Sequence, residues 1–407
     1  ALFSKAKSVY FYEFLGSMEN LIEVIGIKEE NCINCHQCIA VCPVKVCSDG
    51  SGDVVKFNNQ LCIGCGRCIE ACIKSHGGII EKSARFPIDD AAEFIARLPE
   101  REMVALIAPS AQSNFPLKKL ITALKMLGIK AVYDVSLGAE ITVASYHELI
   151  TSGKARLPLI AQPCPAIVKY IEIYQPGLLK YLAPSGSPVH DTAVYVKSLH
   201  PDSELVFISP CLAKRREFQE SKVVQYNVIY QTIDKIFKDN NIVLDNLEDS
   251  DFDNQVPAGI ATNFSSPGGL GECYQFNYPD TPASEIRKIE GPLAYDKYLP
   301  ELQMAIFKKD PNLPMIVDIL SCEKGCNMGP GCINHRSSLD QIERAVTVRS
   351  EESRADETRR RQLQDFLQDV IKQHDFDYRC YQNLSINNTL KLPSETELHK
   401  IYHAMHK

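Results

Sequence analysis

Two runs of cysteine carry the first chemistry. Cys32, Cys35, Cys38 and Cys42-Pro43 have the spacing C-x2-C-x2-C-x3-C-P, and Cys62, Cys65, Cys68 and Cys72 repeat it with Ile73 in place of the proline. Three thiolates on one tight loop reach three corners of a 4Fe-4S cube, and the fourth, on the helix that follows, reaches the neighbouring cube. The spacing therefore predicts Cys32, Cys35, Cys38 and Cys72 on one cube and Cys62, Cys65, Cys68 and Cys42 on the other. Zinc is the alternative, since it also takes four thiolates, but two interleaved runs of this kind are an unusual zinc pattern. Cys47 reads as a plain thiol. His36, inside the first loop, reads as a group that tunes or solvates a cluster rather than a ligand. Two adjacent cubes form a one-electron wire, and a wire implies a redox centre to serve.

Four later cysteines stand in distinctive settings: Gln162-Pro163-Cys164-Pro165, Ser209-Pro210-Cys211, and Ser321-Cys322 with Gly325-Cys326. Together they supply four thiolates from three loops, enough for a third 4Fe-4S cluster. The glycines around Cys326 let backbone approach a bulky inorganic group closely. Lone buried thiols are the plain alternative for any one of them. Behind two cluster motifs, four such residues favour a third cluster.

The elements that must position these residues follow from the rest of the chain. Sixteen cysteines in 407 residues, most of them clustered and with no signal peptide evident, point to metal ligation in a reducing compartment rather than a disulfide scaffold. A cytoplasmic location is expected. The net charge of −7 argues against a general nucleic-acid binder, and no apolar run approaches the ~20 residues that span a bilayer. Residues 1–17, ending Gly16-Ser17 before Met18, read as a leader introduced by cloning. Residues 18–82 form a Cys-rich module. Residues 83–350 alternate strands (103–108, 131–135, 157–161, 205–208) with helices (87–98, 118–127, 167–174, 191–199), which predicts a parallel sheet covered on both faces. Ligands of such sheets bind beyond the carboxyl ends of the strands, where the three later cysteine motifs fall. Residues 351–374 read as one charged, exposed helix, with Arg359-Arg360-Arg361 on a solvated face. The stretch 393–407 opens on a Ser394–Glu397 capping box. It reads as helical to Lys407, as though cut before further domains. The fold class is α/β (α+β overall).

The first module resembles the bacterial two-cluster ferredoxins, and the chain from about residue 18 to about 350 resembles the iron-only (FeFe) hydrogenases. Their active site, the H-cluster, is a 4Fe-4S cube joined through one cysteine to a two-iron unit with CO, cyanide and a bridging dithiolate. The family signatures Thr-Ser-Cys-Cys-Pro, Met-Pro-Cys-x-x-Lys-x-x-Glu and Cys-x-x-x-Cys with following glycines have counterparts here in order. The resemblance implies Cys164, Cys211, Cys322 and Cys326 on the H-cluster cube, with Cys326 bridging to the two-iron unit. It implies Lys214 as the lysine that hydrogen-bonds a cyanide, with Glu217 retained beside it. It places Pro109-Ser110, Ser187, Ser209 and the Gly268-Gly269 loop around the cofactor. The implied cofactors are three 4Fe-4S clusters and the two-iron unit. The implied partners are H2, a ferredoxin-like or other redox partner, downstream signalling domains and a second copy of the chain, with no nucleic acid and no membrane.

The departures bear on rate. The proton-passing cysteine of standard enzymes is Pro163 here, the methionine of the second signature is Ser209, the two relay glutamates align with Tyr146 and Leu149, and the relay serine with Ala183. Such variants resemble the sensory hydrogenases, so slow H2 turnover and H2 or redox sensing are expected. Cys273 is a candidate substitute proton donor, and Cys332 reads as a packed thiol. A hydrogenase-related scaffold or assembly protein without the two-iron unit is the alternative function; a pure electron-transfer protein fits less well with the large α/β domain.

Overall fold

The computed structural model describes residues 20–374, 376, 381–388 and 394–405; the expected leader at 1–17 lies outside the described residues. The N-terminal module is built from short strands because its loops are committed to cysteine. Strand β1 (Ile25–Ile27) pairs antiparallel with the last strand of the module, and β2 (Ser48–Asp49) pairs with β3 (Lys56–Phe57). That last strand, β4, is Arg85–Pro87. The helix expected over 87–98 is therefore shorter, Ala91–Arg97. The Asp89 and Asp90 carboxylates before it accept backbone N–H bonds from Ile229 and Asn227, which spends these residues on a tertiary tie instead of a helical turn.

The larger unit holds two parallel sheets. The first has β5 (Met103–Ile107), β6 (Ala131–Asp134), β8 and β9 in the order β6-β5-β8-β9. The second has β7 (Leu159–Ile160), β10 and β11 in the order β10-β11-β7. Here β8 is Glu204–Ser209, β9 Tyr226–Ile229, β10 Ile286–Glu290 and β11 Ile316–Leu320. All five residues of β5 and of β11 are buried, as both-sided coverage requires. The strand expected to run to 135 stops at Asp134, because its side chain accepts the Ser136 N–H at 2.8 Å and opens the helix Val135–Thr151.

Four of these strands end at chemistry. β5 runs into Pro109-Ser110, β8 into Pro210-Cys211, β7 into Gln162-Pro163-Cys164, and β11 into Ser321-Cys322. The carboxyl edges of the two sheets thus deliver the cysteine loops and Ser110. Arg216, fully buried, locks the two units together: its guanidinium donates to the carbonyls of Ile22 and Cys62 and to the Asn59 side chain.

The stretch 351–374 is not one exposed helix. Helices Leu339–Ala355 and Glu357–Gln373 meet at Asp356, whose side chain caps the second by accepting the Arg359 N–H. Leu363, Phe366 and Val370 are buried in the core of the four-stranded sheet. Arg359 and Arg360 are half-buried, Arg359 donating to the Ala258 carbonyl, and only Arg361 is exposed. The last helix, Glu395–Met405, has the expected box: the Ser394 N–H donates to Glu397 and the Glu397 N–H to Ser394 Oγ. Among the described residues no helix is long and apolar enough to cross a membrane.

Candidate cluster sites

The two N-terminal cysteine loops are backbone copies of each other. Asn34 and His36 in the first, and Gly64 and Gly66 in the second, all take left-handed backbone (φ 48°, 59°, 74° and 77°). The tight loops demand this conformation. Glycine meets it freely in the second loop; in the first, Asn34 and His36 do so with their side chains bonded to each other at 3.0 Å. A side chain at Gly66 would also strike Pro330, 2.5 Å away, so the second loop sits against the segment that follows Cys326.

Two cavities result. One is lined by Cys32, Cys35, Cys38 and Cys72, with His36, His76 and Arg85. The other is lined by Cys42, Cys62, Cys65 and Cys68, with Cys38, Cys47, Arg67 and Arg85. Each run thus sends its fourth cysteine to the other run's site. Cys35 is exposed, which makes the first site the outer one. Cys47, read as a plain thiol, lies 3.6 Å from Cys42 in the second cavity, a placement that its position outside the motif spacing does not disclose. Among the described residues no group of three or more His, Cys, Asp or Glu side chains is arranged to hold a single metal ion.

The thiols of Cys164, Cys211, Cys322 and Cys326 lie near enough to influence one another. Burial pushes the Cys164 thiol up, the Cys211 thiol up to about 12, and those of Cys322 and Cys326 well above the usual thiol range; after burial, the other thiols of the set are the main causes at the last three. Cys322 also feels Cys65 of the second site, and Arg67 donates to the Ser321 carbonyl at 2.6 Å between them. The three sites therefore lie in file, from exposed Cys35 to half-buried Cys326.

Around the third site the loops are stitched to one another. The Cys326 N–H donates to the Ser265 carbonyl at 2.8 Å, and Asn327 to Ser266 Oγ at 3.1 Å. Gly325 has φ 64°, and a side chain there would strike the Ser265 carbonyl; one at Gly269 would strike that of Asn263. Gly268, at φ 73°, turns the same loop into the helix Gly269–Asn277. Ser209 has a structural use that its motif position does not reveal. Its hydroxyl bonds Asn227 Oδ1 at 2.8 Å and accepts the Cys211 N–H at 3.2 Å, while Asn227 donates to the Cys211 carbonyl at 2.9 Å.

Lys214 opens the helix Lys214–Ser221 and Glu217 follows one turn later. The Lys214 ammonium donates to Glu217 Oε2 at 2.7 Å and to Ser187 Oγ at 2.9 Å, and Ser187 donates to the other Glu217 oxygen. This buried cation lowers the thiols of Cys164, Cys211 and Cys326 against the effect of burial. Pro109 begins a tight turn that buries Ser110, whose hydroxyl bonds Tyr230 at 2.8 Å. Tyr230 was not legible as a site residue, because it is the first residue of an ordinary amphipathic helix.

The positions aligned with a proton path hold no acid. Tyr146 is fully buried with its hydroxyl donated to Gln162, whose amide donates to the carbonyls of Ser185 and Gly186; burial raises the phenol well above its usual range. Leu149 and Ala183 are core residues. Cys273 donates to buried Glu140 at 3.5 Å, and burial raises both groups. Cys332 donates to the Asn327 carbonyl at 3.4 Å as a packed thiol.

Comparison with known proteins now fits this geometry. The family described as iron only hydrogenase large subunit, C-terminal domain, matches residues 101–330, more than half of the chain, and a 4Fe-4S dicluster domain matches 24–73. The chain belongs to the iron-only hydrogenase family. Iron hydrogenase 1 of Clostridium pasteurianum is 25% identical over 206 residues, 43% of this chain and 36% of that protein. The NADP-reducing hydrogenase subunit HndD of Solidesulfovibrio fructosivorans is 26% identical over 286 residues, 61% of this chain and 43% of that protein. The chain therefore spans about two-fifths of the length of these relatives. A solved FeFe-hydrogenase, studied for oxygen inactivation through its H-cluster 2Fe subcluster, shares the fold with TM-score 0.54 at 16% identity, covering 73% of this chain and 99% of that one. An FeFe-hydrogenase variant of Chlamydomonas reinhardtii gives TM-score 0.50 at 18% identity over 68% and 94%. This iron-only hydrogenase family member thus joins a ferredoxin-like module to a hydrogenase-type α/β unit.

Proposed function

We propose that the chain carries an H-cluster on Cys164, Cys211, Cys322 and Cys326 and interconverts H2 with protons and electrons slowly, as an H2 or redox sensor. Residues 18–82 act as the wire, residues 83–350 as the cofactor unit, and 351–407 as a helical extension. The observation that carries the reading is Lys214. It is a buried cation that influences three of the four thiols, and its two protein partners, Ser187 and Glu217, leave its third N–H to an anion. When bound, the two-iron unit would supply H2 binding and cleavage, and Cys326 would join it to the cube. The chain's own residues then do three things. Lys214 offsets anionic charge in a site from which water is largely excluded. The file of cysteine sites carries electrons to exposed Cys35. Pro163, with neither a side-chain proton nor a backbone N–H, moves no proton.

A positioned acid or base contributes ~10²–10⁴-fold to such a step. Tyr146, Leu149 and Ala183 do not replace one, so turnover is expected to be slower than in a standard enzyme by about that factor. Iron analysis should give about 12 Fe per chain for three cubes and about 14 with the two-iron unit. Dye-linked H2 oxidation and evolution by the loaded protein, run beside a standard FeFe hydrogenase, tests the rate. Equal rates would overturn the slow-sensor reading.

A further inference from the structure

Arg85 stands between the two cavities of the ferredoxin-like module and lines both. It is only 4% exposed. Strand pairing fixes its backbone, with Ile27 opposite it in β1, and the Ser83 hydroxyl donates to its carbonyl at 2.8 Å. Its guanidinium stacks over the Phe57 ring at 4.6 Å and donates from Nη2 to the Val55 carbonyl at 2.5 Å. Nη1 is buried with no hydrogen-bond partner. An orphaned guanidinium nitrogen in such a place is costly. The groups that flank it are cysteines: Cys38 lines both cavities with it, Cys32, Cys35 and Cys72 line the outer one, and Cys68 lines the inner one.

We propose that Arg85 is a shared electrostatic positioning residue that raises the reduction potentials of both ferredoxin-type clusters and so keeps the wire level. A 4Fe-4S core with four thiolates is a net anion, and reduction adds one more negative charge. A fixed cation beside it stabilises the reduced form more than the oxidised form, and net charge and hydrogen bonds at the sulfurs are what set such potentials. One guanidinium reaching both sites shifts both in the same direction, which preserves the step between them. The inference rests on the two-cluster reading of the cysteine module, onto which Arg85 in β4 folds, and is independent of whether the two-iron unit is present.

The test is an EPR-monitored redox titration of the full chain with its clusters reconstituted, using Arg85→Met, Arg85→Gln and Arg85→Lys. Met and Gln remove the charge, Gln keeping a donor for the Val55 carbonyl, and Lys keeps the charge. In each neutral variant the reduction equilibrium of both ferredoxin-type clusters is expected to fall at least tenfold, about 59 mV for a one-electron couple. Arg85→Lys should recover most of the shift, and the third cluster should not move. Unchanged midpoints in a neutral variant with both clusters loaded would overturn the proposal. So would an equal shift at the third cluster. If both neutral variants lose a cluster that Arg85→Lys retains, the residue serves assembly rather than potential, and the proposal also fails.

Discussion

Replacing Lys214 by Met should destabilise the cluster-free protein by about 3–5 kcal/mol, the usual consequence of leaving one member of a buried ion pair uncompensated. The side chains of Lys214 and Glu217 are 9% and 3% exposed and 2.7 Å apart. At an effective dielectric of ~20 that separation gives about 6 kcal/mol of direct attraction, much of it offset by desolvation of the two ions. Without the ammonium, the Glu217 carboxylate retains the Ser187 hydroxyl but loses the cation 2.7 Å away. Glu217→Gln should cost a similar amount by orphaning the ammonium. The double variant, which leaves a neutral amide able to hydrogen-bond Ser187 beside an apolar side chain, should cost about 2 kcal/mol less than the sum of the singles. Urea denaturation of all four proteins, followed by far-UV circular dichroism, reads these differences as shifts in midpoint at constant slope. Single variants within about 1 kcal/mol of the parent, with additive effects in the double, would refute the reasoning. They would show that the pair is solvated rather than sealed beside the cysteines.

Three further outcomes follow from the same structure. Cys326→Ser should remove the signals of the two-iron unit while both ferredoxin-type clusters remain visible by EPR; unchanged CO and cyanide bands in that variant would reassign the bridge. Burial raises the Asp318 carboxyl from 3.8 to about 6. The native state thus holds this proton more tightly than the unfolded chain does, and stability falls as pH rises through 4–6. Asp318→Asn should therefore stabilise by up to about 3 kcal/mol at pH 7, with the gain gone below about pH 4, and a pH-independent effect in denaturation curves would contradict this. Pro163→Cys alone should raise H2 turnover by well under the ~10²–10⁴ of a complete proton path, since Tyr146 and Leu149 still block its continuation; a full gain in the dye assay would show that position 163 alone limits the rate.

Much of the site was legible because inorganic clusters impose rigid spacing on sequence. The two C-x2-C-x2-C-x3-C runs and the strand-then-loop placement of Cys164 and Cys211 follow from that constraint and from the apolar runs of β7 and β8, whereas β11, the strand before Cys322, was not among those expected. What escaped were contacts made across the fold. Cys47 reaches Cys42 only through the turn before β2, Tyr230 bonds Ser110 from 120 positions away, and Arg85 looks like an ordinary strand residue until both cavities are seen. The helix expected from residue 87 failed for a related reason: Asp89 and Asp90 serve Ile229 and Asn227, a demand that local periodicity does not register. The arginines at 359–360 read as solvated because a charge run does not disclose that Leu363, Phe366 and Val370 turn the same helix onto the core.

In the proposed function, the buried lysine and four thiols hold an H-cluster. Infrared spectroscopy of the chain produced with hydrogenase maturation proteins tests it most directly, because metal-bound CO and cyanide absorb where polypeptide does not. Both sets of bands are expected, and Lys214→Met should shift or abolish the cyanide set. A protein with all three cubes loaded, matured beside a standard FeFe hydrogenase that shows the bands, and itself showing neither CO nor cyanide absorption, would contradict it.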